Sequence, residues 1–416
     1  MSNYIFSLNN YQTIKKANIV INGITVLTGI NGSGKSTISK WLYYIVNGAH
    51  LFNNIVYADF ALRLFKSIQI FDLMLSIKMI KLPVQIKNII HNIFTEEEKK
   101  LADLCYSDSD YNELVDMYDK VFQKVSETIK TNNNYKELTN VQRQVAKEYI
   151  NEYLLNKEER KRSKFFELLQ KFYHLSPGPD SIQLEEDNVN LFSKEKVGYL
   201  NHTTKAIYID TPIVFSPKNI NNNRIIADFY KKVFRPCSAY SPSLQAKEIS
   251  TRSRVLLNGD VISKKNDSGE DELYFVREDG LEVPLEEVST GMKSLIYIQR
   301  LLKNGYLDAN TLLIFDNPET NLHPQYIIEF ARLLVMLHHE LGVKILISSH
   351  NPDMVAALQA IASKENVMEN LHFYLSKPTS AKDTYEFVDQ GQNIEEIFKS
   401  FNVAYKKIEE YGNSDF

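Results

Sequence analysis

Cysteine is nearly absent from this sequence: its 416 residues include only Cys105 and Cys237. They stand far apart, without CxxC or Cys/His spacing, which leaves no basis for a disulfide framework or a zinc site and fits a reducing compartment. Long apolar runs are missing too. The most hydrophobic stretch, around IQIFDLMLSIKMIKLPVQI, is broken by Asp72, Lys78, Lys81 and Pro83, too often for a membrane span. The opening MSNYIFSLNNYQTIKK lacks the charged start, apolar run and small-residue cleavage site of an export signal. A soluble, cytoplasmic protein without a membrane partner is the expectation. Excess positive charge is also lacking, since 48 Lys+Arg stand against 52 Asp+Glu for a net charge of −4. That argues against a strongly basic nucleic-acid binder, while a local basic groove stays possible. No repeat or low-complexity tract interrupts an ordinary globular composition, 44% hydrophobic and 24% charged. The length allows two domains of roughly 100–200 residues each.

What is present begins near the start. In ITVLTGINGSGKSTISKWLYYIV an apolar, β-branched run ends at Gly29, and G-I-N-G-S-G-K-S then opens a helical pattern. Gly29 to Ser36 is a Walker A phosphate loop. Its glycines let successive backbone N–H groups point into one concavity, and the helix N-terminus that follows adds positive potential. Asn31, Gly32, Ser33 and Gly34 would line the phosphates, with Lys35 reaching the β- and γ-phosphates, the Ser36 hydroxyl binding Mg²⁺ and Thr37 beside it toward the α-phosphate. Ile38, Trp41, Leu42 and Ile45 then recur at helical spacing, as a helix packed on a sheet requires.

A second block, LEVPLEEVSTGMKSLIYIQRLLKNGYLDANTLLIFDNPETNLHPQ, reads as turn, helix, loop and buried strand. Leu295, Ile296, Ile298, Leu301 and Leu302 form the apolar side of the helix and Gly305 its stop. Ser289, Thr290 and Gly291 make a hydroxyl-and-glycine turn at its N-terminus, which fits an anion site or plain capping. The strand Thr311 to Asp316 ends in a carboxylate suited to a metal. Asn317 follows, and the nearest further acid is Glu319, past Pro318. In GVKILISSHNPDMVAALQAIAS another buried strand ends at His350, before a helix started by Asn351 and Pro352. Open α/β sheets bind ligands at strand C-termini, which makes His350 a candidate phosphate contact. His338 and His339 are adjacent rather than one turn apart, so they do not form a metal pair; the helix C-terminus accounts for them.

Together these blocks resemble the ABC-type ATPases. In that superfamily a signature loop of the form LSGGQ from one subunit covers the γ-phosphate held by the Walker A loop of the other. VSTGM stands here in its place, with Ser289 and Gly291 at the phosphate-contacting positions and with Thr290 and Met292 departing from the pattern. The resemblance makes His350 the switch histidine. Within the superfamily, DNPETNLHP and the segment VLLNGDVISKKNDSGEDELYFVREDGLEVPLEEVSTG are similar to the OLD (overcoming lysogenization defect) group, many of whose members act in bacterial anti-phage defence.

The fold implied is an α/β, ABC-type P-loop NTPase head, a mixed sheet with helices on both sides, over residues 1–50 and 206–416. Residues 51–205, rich in Lys, Glu, Leu, Ile and Tyr and poor in strand alternation, read as a helical insertion. In it, EYINEYLLNKEERKRSKFFELLQKFYHL reads as helix, with Tyr149, Tyr153, Phe165 and Leu168 among its apolar positions, until SPGPDS breaks the pattern. The run Lys157 to Lys164 is read as a solvated face carrying an i,i+4 pair between Glu158 and Arg162. The tail after His350 has no D-x-D pair, so the TOPRIM nuclease that OLD-type proteins often carry is not expected on this chain.

ABC-type ATPases place a glutamate immediately after the metal-binding aspartate to polarise the attacking water. Asn317 can position a water but cannot take its proton, leaving Glu319 as the candidate base. The reading is a slow regulatory ATPase using ATP and Mg²⁺, with Ser36 and Asp316 on the metal. It would dimerise or form a higher homo-oligomer around nucleotide and control a separate effector. The alternatives are a DNA repair or maintenance ATPase of the RecF and SMC type, a transporter subunit and a head that only binds ATP. No sustained a/d heptad repeat in residues 51–205 supports a long coiled-coil arm.

Overall fold

A computed structural model describes residues 3–76, 133–192, 195–211, 224–237, 242–265 and 271–413, with isolated positions from 116 to 127. Cys105, the part of the apolar stretch beyond residue 76 and residues 266–270 of the hairpin segment lie outside the described residues. The chain divides into two compact units, one of Met1–His50, Phe172–Lys194 and Gly198–Phe416, the other of Leu51–Lys171 and Glu195–Val197.

The first unit is built on a ten-stranded sheet. Its strands are β1 (Tyr4–Tyr11), β2 (Ile14–Ile21), β3 (Ile24–Thr28), β4 (Gln183–Glu186), β5 (Val189–Asn190), β6 (Lys205–Asp210), β10 (Thr311–Asp316), β11 (Lys344–Ser348), β12 (Leu371–Pro378) and β13 (Tyr385–Gly391). A separate three-stranded sheet holds β7 (Gly259–Lys265), β8 (Asp271–Arg277) and β9 (Glu282–Pro284). The large sheet runs β5-β4-β1-β2-β13-β12-β3-β11-β10-β6. Its five strands from β12 to β6 are mutually parallel, whereas β1 pairs antiparallel with β2 and β4. This is the expected mixed sheet.

Alternation along the parallel strands explains why both faces are covered. Ile24 and Val26, Ile207 and Ile209, Leu313 and Phe315, and Ile345 and Ile347 join one large core. The helices of that core are α5 (Arg224–Phe234), α6 (Leu244–Leu257), α7 (Thr290–Lys303), α8 (Pro324–Leu341) and α9 (Pro352–Lys364). The intervening residues, such as Leu27, Ala206, Ile314 and Leu346, are also buried and point to the other face, where α1 (Lys35–His50) packs on β6, β10 and β11. Ile38, Trp41, Leu42 and Ile45 are its buried stripe. The Asn47 amide answers the edge strand, donating to Ala206 O at 3.0 Å and accepting from Ala206 N at 2.9 Å. A final helix, α10 (Glu395–Asn413), closes the described chain.

Residues 172–194 belong with the sheet rather than with the insertion that was expected to run to residue 205. QLEE (183–186) is too short and too polar to advertise a strand, yet it pairs with β1 through four residues. The lock is Glu186. Its carboxylate is buried and accepts from the Tyr4 hydroxyl, from Asn201 N at 3.0 Å, from His202 N at 3.0 Å and from the His202 ring at 2.9 Å.

The second unit contains α2 (Phe52–Ser76), α3 (Asn133–Glu159) and α4 (Arg162–Tyr173) up to Lys171. The single helical stretch expected here is broken. Arg160 takes φ 46° and lays its guanidinium 4.6 Å from the Phe52 ring, while Nε donates to Val197 O at 2.8 Å. Glu158 and Arg162 therefore fall on different helices, and Arg162 lies over Phe166 at 5.3 Å instead of forming an intrahelical pair. Tyr153, Phe165 and Leu168 are buried as expected. Asp59, also buried, gathers Arg63, Lys164 and Lys171. Among the described residues no helix is long and apolar enough to cross a membrane.

Glu186 yields a test of the β1–β4 join. Burial opposes its ionisation, but the Tyr4 hydroxyl and the donors of Asn201 and His202 outweigh that and hold its pKa below the usual carboxylate value. A depressed folded-state pKa stabilises fully above the ordinary value of about 4.3, and the benefit fades as pH falls through the depressed one. Glu186→Ala, which leaves the buried Tyr4 hydroxyl without its acceptor, should cost about 1–3 kcal/mol in urea denaturation at pH 7. The difference from wild type should shrink below pH 4.

Candidate nucleotide site

The parallel register sets the site. Asp316 at the end of β10 pairs with Ser348 of β11 on one side and Asp210 of β6 on the other, and Ser348 pairs with Leu27 of β3. Four strand ends therefore finish at one level, and Gly29 to Ser36 rises from the same edge. A ligand binding there meets residues drawn from the whole chain.

The loop has the backbone its glycines permit, with φ +135° at Gly29, +81° at Gly32 and +100° at Gly34. Around Gly29 the room is already taken, since an added Cβ would fall 1.7 Å from Ser376 Oγ on β12. Lys35 begins α1 and is buried, its Nζ donating to Gly29 O at 2.8 Å and Ile30 O at 2.9 Å. Burial lowers its pKa, while the charges of Asp316 and Glu319 pull it back up. The ammonium thus sits between the loop carbonyls and the two acids. Asn31 and Gly32 are exposed, Ser33 is buried with its hydroxyl unpaired, and Ser36 and Thr37 are half-buried. The Thr37 hydroxyl donates to Gln12 at 3.3 Å.

Asp316 is 3% exposed. Its Oδ2 accepts from the Tyr208 hydroxyl at 2.8 Å, a phenol kept protonated by burial and by the neighbouring carboxylate. Asn317 adopts φ 50°, and its N–H donates to Ser348 O at 2.9 Å. Thr320 N closes a turn onto Asn317 O at 3.1 Å, with Pro318 at its second position. That turn carries Glu319 inward, where it is 7% exposed. Its Oε1 accepts from Ser349 Oγ at 2.8 Å and from His350 N at 3.3 Å, whereas Oε2 is buried without a hydrogen-bond partner. The side chain thus faces the residues that follow β11. Burial raises its pKa, against the opposing effect of its own backbone and of Ser349 and His350.

The structure brings Lys35, Asp316, Glu319 and His350 to one edge. Ser289 and Gly291 lie at the N-terminus of α7. Ser289 is the N-cap residue of α7 but makes no side-chain capping bond, so capping does not explain its hydroxyl. Gly291 must lack a side chain because its Cβ would lie 2.4 Å from Asn321 O, and Thr290 Oγ1 accepts from Asn321 Nδ2 at 3.0 Å. The turn is therefore braced on the loop that follows β10. No hydrogen bond among the described residues links Ser289 or Gly291 to Gly29–Ser36.

Other sequence expectations shift. His338 is buried, its Nδ1 3.0 Å from Val343 O, and burial lowers its pKa. It stands in the last turn of α8, where the sequence places it, as a buried side chain. His350 is exposed at the end of β11, and Asn351 and Pro352 start α9 as expected. Tyr208, Asp210 and Ser349 were not singled out by motif; the signal available for Asp210 was an apolar strand ending in an acid.

The donor set fits a magnesium nucleotide. Three buried polar atoms without protein partners, Ser33 Oγ, Asn317 Oδ1 and Glu319 Oε2, belong to the phosphate loop or the turn beside it, and the loop offers backbone N–H groups and an ammonium to an anion. The two inner glycines test the loop's strain. Gly32→Ala and Gly34→Ala should each lose about 1–2 kcal/mol for a side chain at positive φ. Only Gly34→Ala must also displace Ile14, 2.5 Å from its new Cβ. It should show the lower thermal midpoint of the two by calorimetry without nucleotide.

By sequence profile, residues 5–355 match the family described as AAA ATPase domain. Comparison with curated proteins gave no match. Among solved structures, the SMC head domain of Thermotoga maritima aligns at 10% identity over 94% of this chain and 99% of that one, with a TM-score of 0.36. The Clostridium perfringens protein cbiO1, part of the ABC transporter complex cbiONQ, aligns at 12% identity over 97% and 94%, with a TM-score of 0.36. The phosphate loop at the edge of a parallel core within a mixed sheet makes the fold that of a P-loop NTPase, and by the profile over most of its length the chain belongs to the AAA ATPase domain family.

Proposed function

We propose that this ATPase binds ATP with Mg²⁺ between two copies of the chain and hydrolyses it slowly, with Glu319 as general base. The nucleotide-held dimer then controls a separate effector. The observation that carries this reading is Glu319 itself, a buried carboxylate with one oxygen held and the other unpaired, close enough to Lys35 for the two charges to interact. Asn317, in the position after Asp316, has its backbone committed to Ser348 and Thr211.

In the reaction, Lys35 and the loop N–H groups neutralise the phosphate oxygens, and Asp316, oriented by Tyr208, holds the metal with Ser36. Mg²⁺ supplies positive charge where the β- and γ-phosphate oxygens gain negative charge. Glu319 Oε2 takes a proton from the attacking water as its oxygen bonds to the γ-phosphorus and the bridging bond to the leaving ADP breaks. His350 stands at the edge of the same site to contact the γ-phosphate.

The two-copy arrangement is supported by the resemblance of VSTGM to the signature loop and by the Ser289 hydroxyl, which makes no capping bond. The role in anti-phage defence, and the effector, rest on the similarity of DNPETNLHP to OLD-type proteins. A RecF- or SMC-like role on DNA is the second reading, and stimulation of hydrolysis by DNA would favour it.

Steady-state hydrolysis with Mg²⁺ tests the assignment. Lys35→Ala should lose ATP binding and turnover together. Glu319→Gln should keep binding and lose about 100- to 10,000-fold in rate, the usual worth of general-base help. Because burial raises the Glu319 pKa, wild-type turnover should fall on acidification at a pH above the ordinary carboxylate range. Glu319→Gln turning over like wild type would remove the base. A mixture of Lys35→Ala and Ser289→Ala chains should regain part of the activity each lacks, by pairing an intact loop with an intact turn; no recovery would contradict the two-copy site.

A further inference from the structure

The base in this site is not held by its own segment. Glu319 Oε1 accepts from the Ser349 hydroxyl at 2.8 Å and the His350 N–H at 3.3 Å, both just beyond β11. Ser349 is fully buried and its own position is fixed twice. Its N–H donates to Leu27 O at 2.9 Å, two residues before Gly29, and its Oγ accepts from Asn351 N at 3.1 Å. The hydroxyl proton is thereby directed at Glu319, and the clamp is referenced to the strand that carries the phosphate loop.

From this geometry we infer that Ser349 is a positioning residue for hydrolysis: it holds Glu319 Oε1 so that Oε2 is the oxygen presented to the attacking water. The inference rests on Glu319 being the base. A glutamate placed three residues past the metal-binding aspartate, behind a proline, has a longer and more bent path to the γ-phosphate than one placed directly after it. An outside brace compensates for the looser tether. With Oε1 occupied by two donors and Oε2 by none, the carboxylate has one open proton-accepting position.

The titratable groups that interact with this carboxylate are Lys35 from the phosphate loop and α1 and His350 after β11. Asn317 in the intervening turn is neutral. Against that fixed background the Ser349 hydroxyl favours the ionised base, opposing the burial that disfavours it.

The test is the pH–rate profile of the full-length protein with Mg-ATP, read beside equilibrium binding of a fluorescent ATP analogue, for wild type, Ser349→Ala, Ser349→Thr and Glu319→Gln. Ser349→Ala should bind nucleotide like wild type and lose about tenfold or more in turnover at neutral pH, since a hydrogen bond to a charged group is gone. The acid limb of its profile should move up by about one pH unit, because the ionised base has lost a donor. Ser349→Thr, which keeps the hydroxyl, should restore the wild-type limb. An unmoved limb in Ser349→Ala, or parallel loss of binding and turnover, overturns the clamp, the second because it marks Ser349 as merely structural. If Glu319→Gln is inactive while the Ser349→Ala limb stays put, the clamp fails and the base survives. If Glu319→Gln turns over like wild type, both fail.

Discussion

The parallel register of β3, β11, β10 and β6 is the constraint on which the rest of this protein depends. Because Leu27, Ser348, Asp316 and Asp210 share one level across four strands, the phosphate loop, the two acids and the end of β11 come to a single edge. Slipping any strand by one residue would turn its buried set to the opposite face and carry its site residue away. The apolar residues filling both faces, from Ile24 and Val26 to Leu346 and Ile347, therefore do more than drive folding. Their packing against the helices on the two faces holds the register, and the register sets the chemistry.

Within that frame, the site is organised around opposed charges kept out of water. Lys35 is buried between loop carbonyls and the carboxylates of Asp316 and Glu319, so each member is tolerated because the others are there. A phosphate entering the loop offers the ammonium a stronger partner than the carbonyls of Gly29 and Ile30. Tyr208 gives Asp316 a donor that does not titrate in the working range, which fixes the carboxylate without neutralising it.

The loop after β10 has two tasks that pull in different directions. Its first half turns Glu319 inward onto Ser349 and His350, and its second half presents Asn321 to the Ser289–Gly291 turn. A shift in Glu319 would be felt at that turn through only a few residues.

Sequence alone determined the local parts. The phosphate loop, the helix behind it, the β10 and β11 strands, the start of α9 and the turn at Ser289 are each written in consecutive residues, where periodicity, glycine placement and capping chemistry act over a few positions. The partnerships were decided by the tertiary structure. Glu319 meets Ser349 across 30 residues and Tyr208 meets Asp316 across 108, and no spacing rule reaches that far. QLEE (183–186) became a strand because β1 offered an open edge and Glu186 found four donors. Helix propensity around Arg160 yielded to a cation–π contact with Phe52 and a bond to Val197, and burial lowered the pKa of His338. Short-range preferences name what each segment can be; which side chain faces which is settled by packing, where burial makes every unpaired polar group costly.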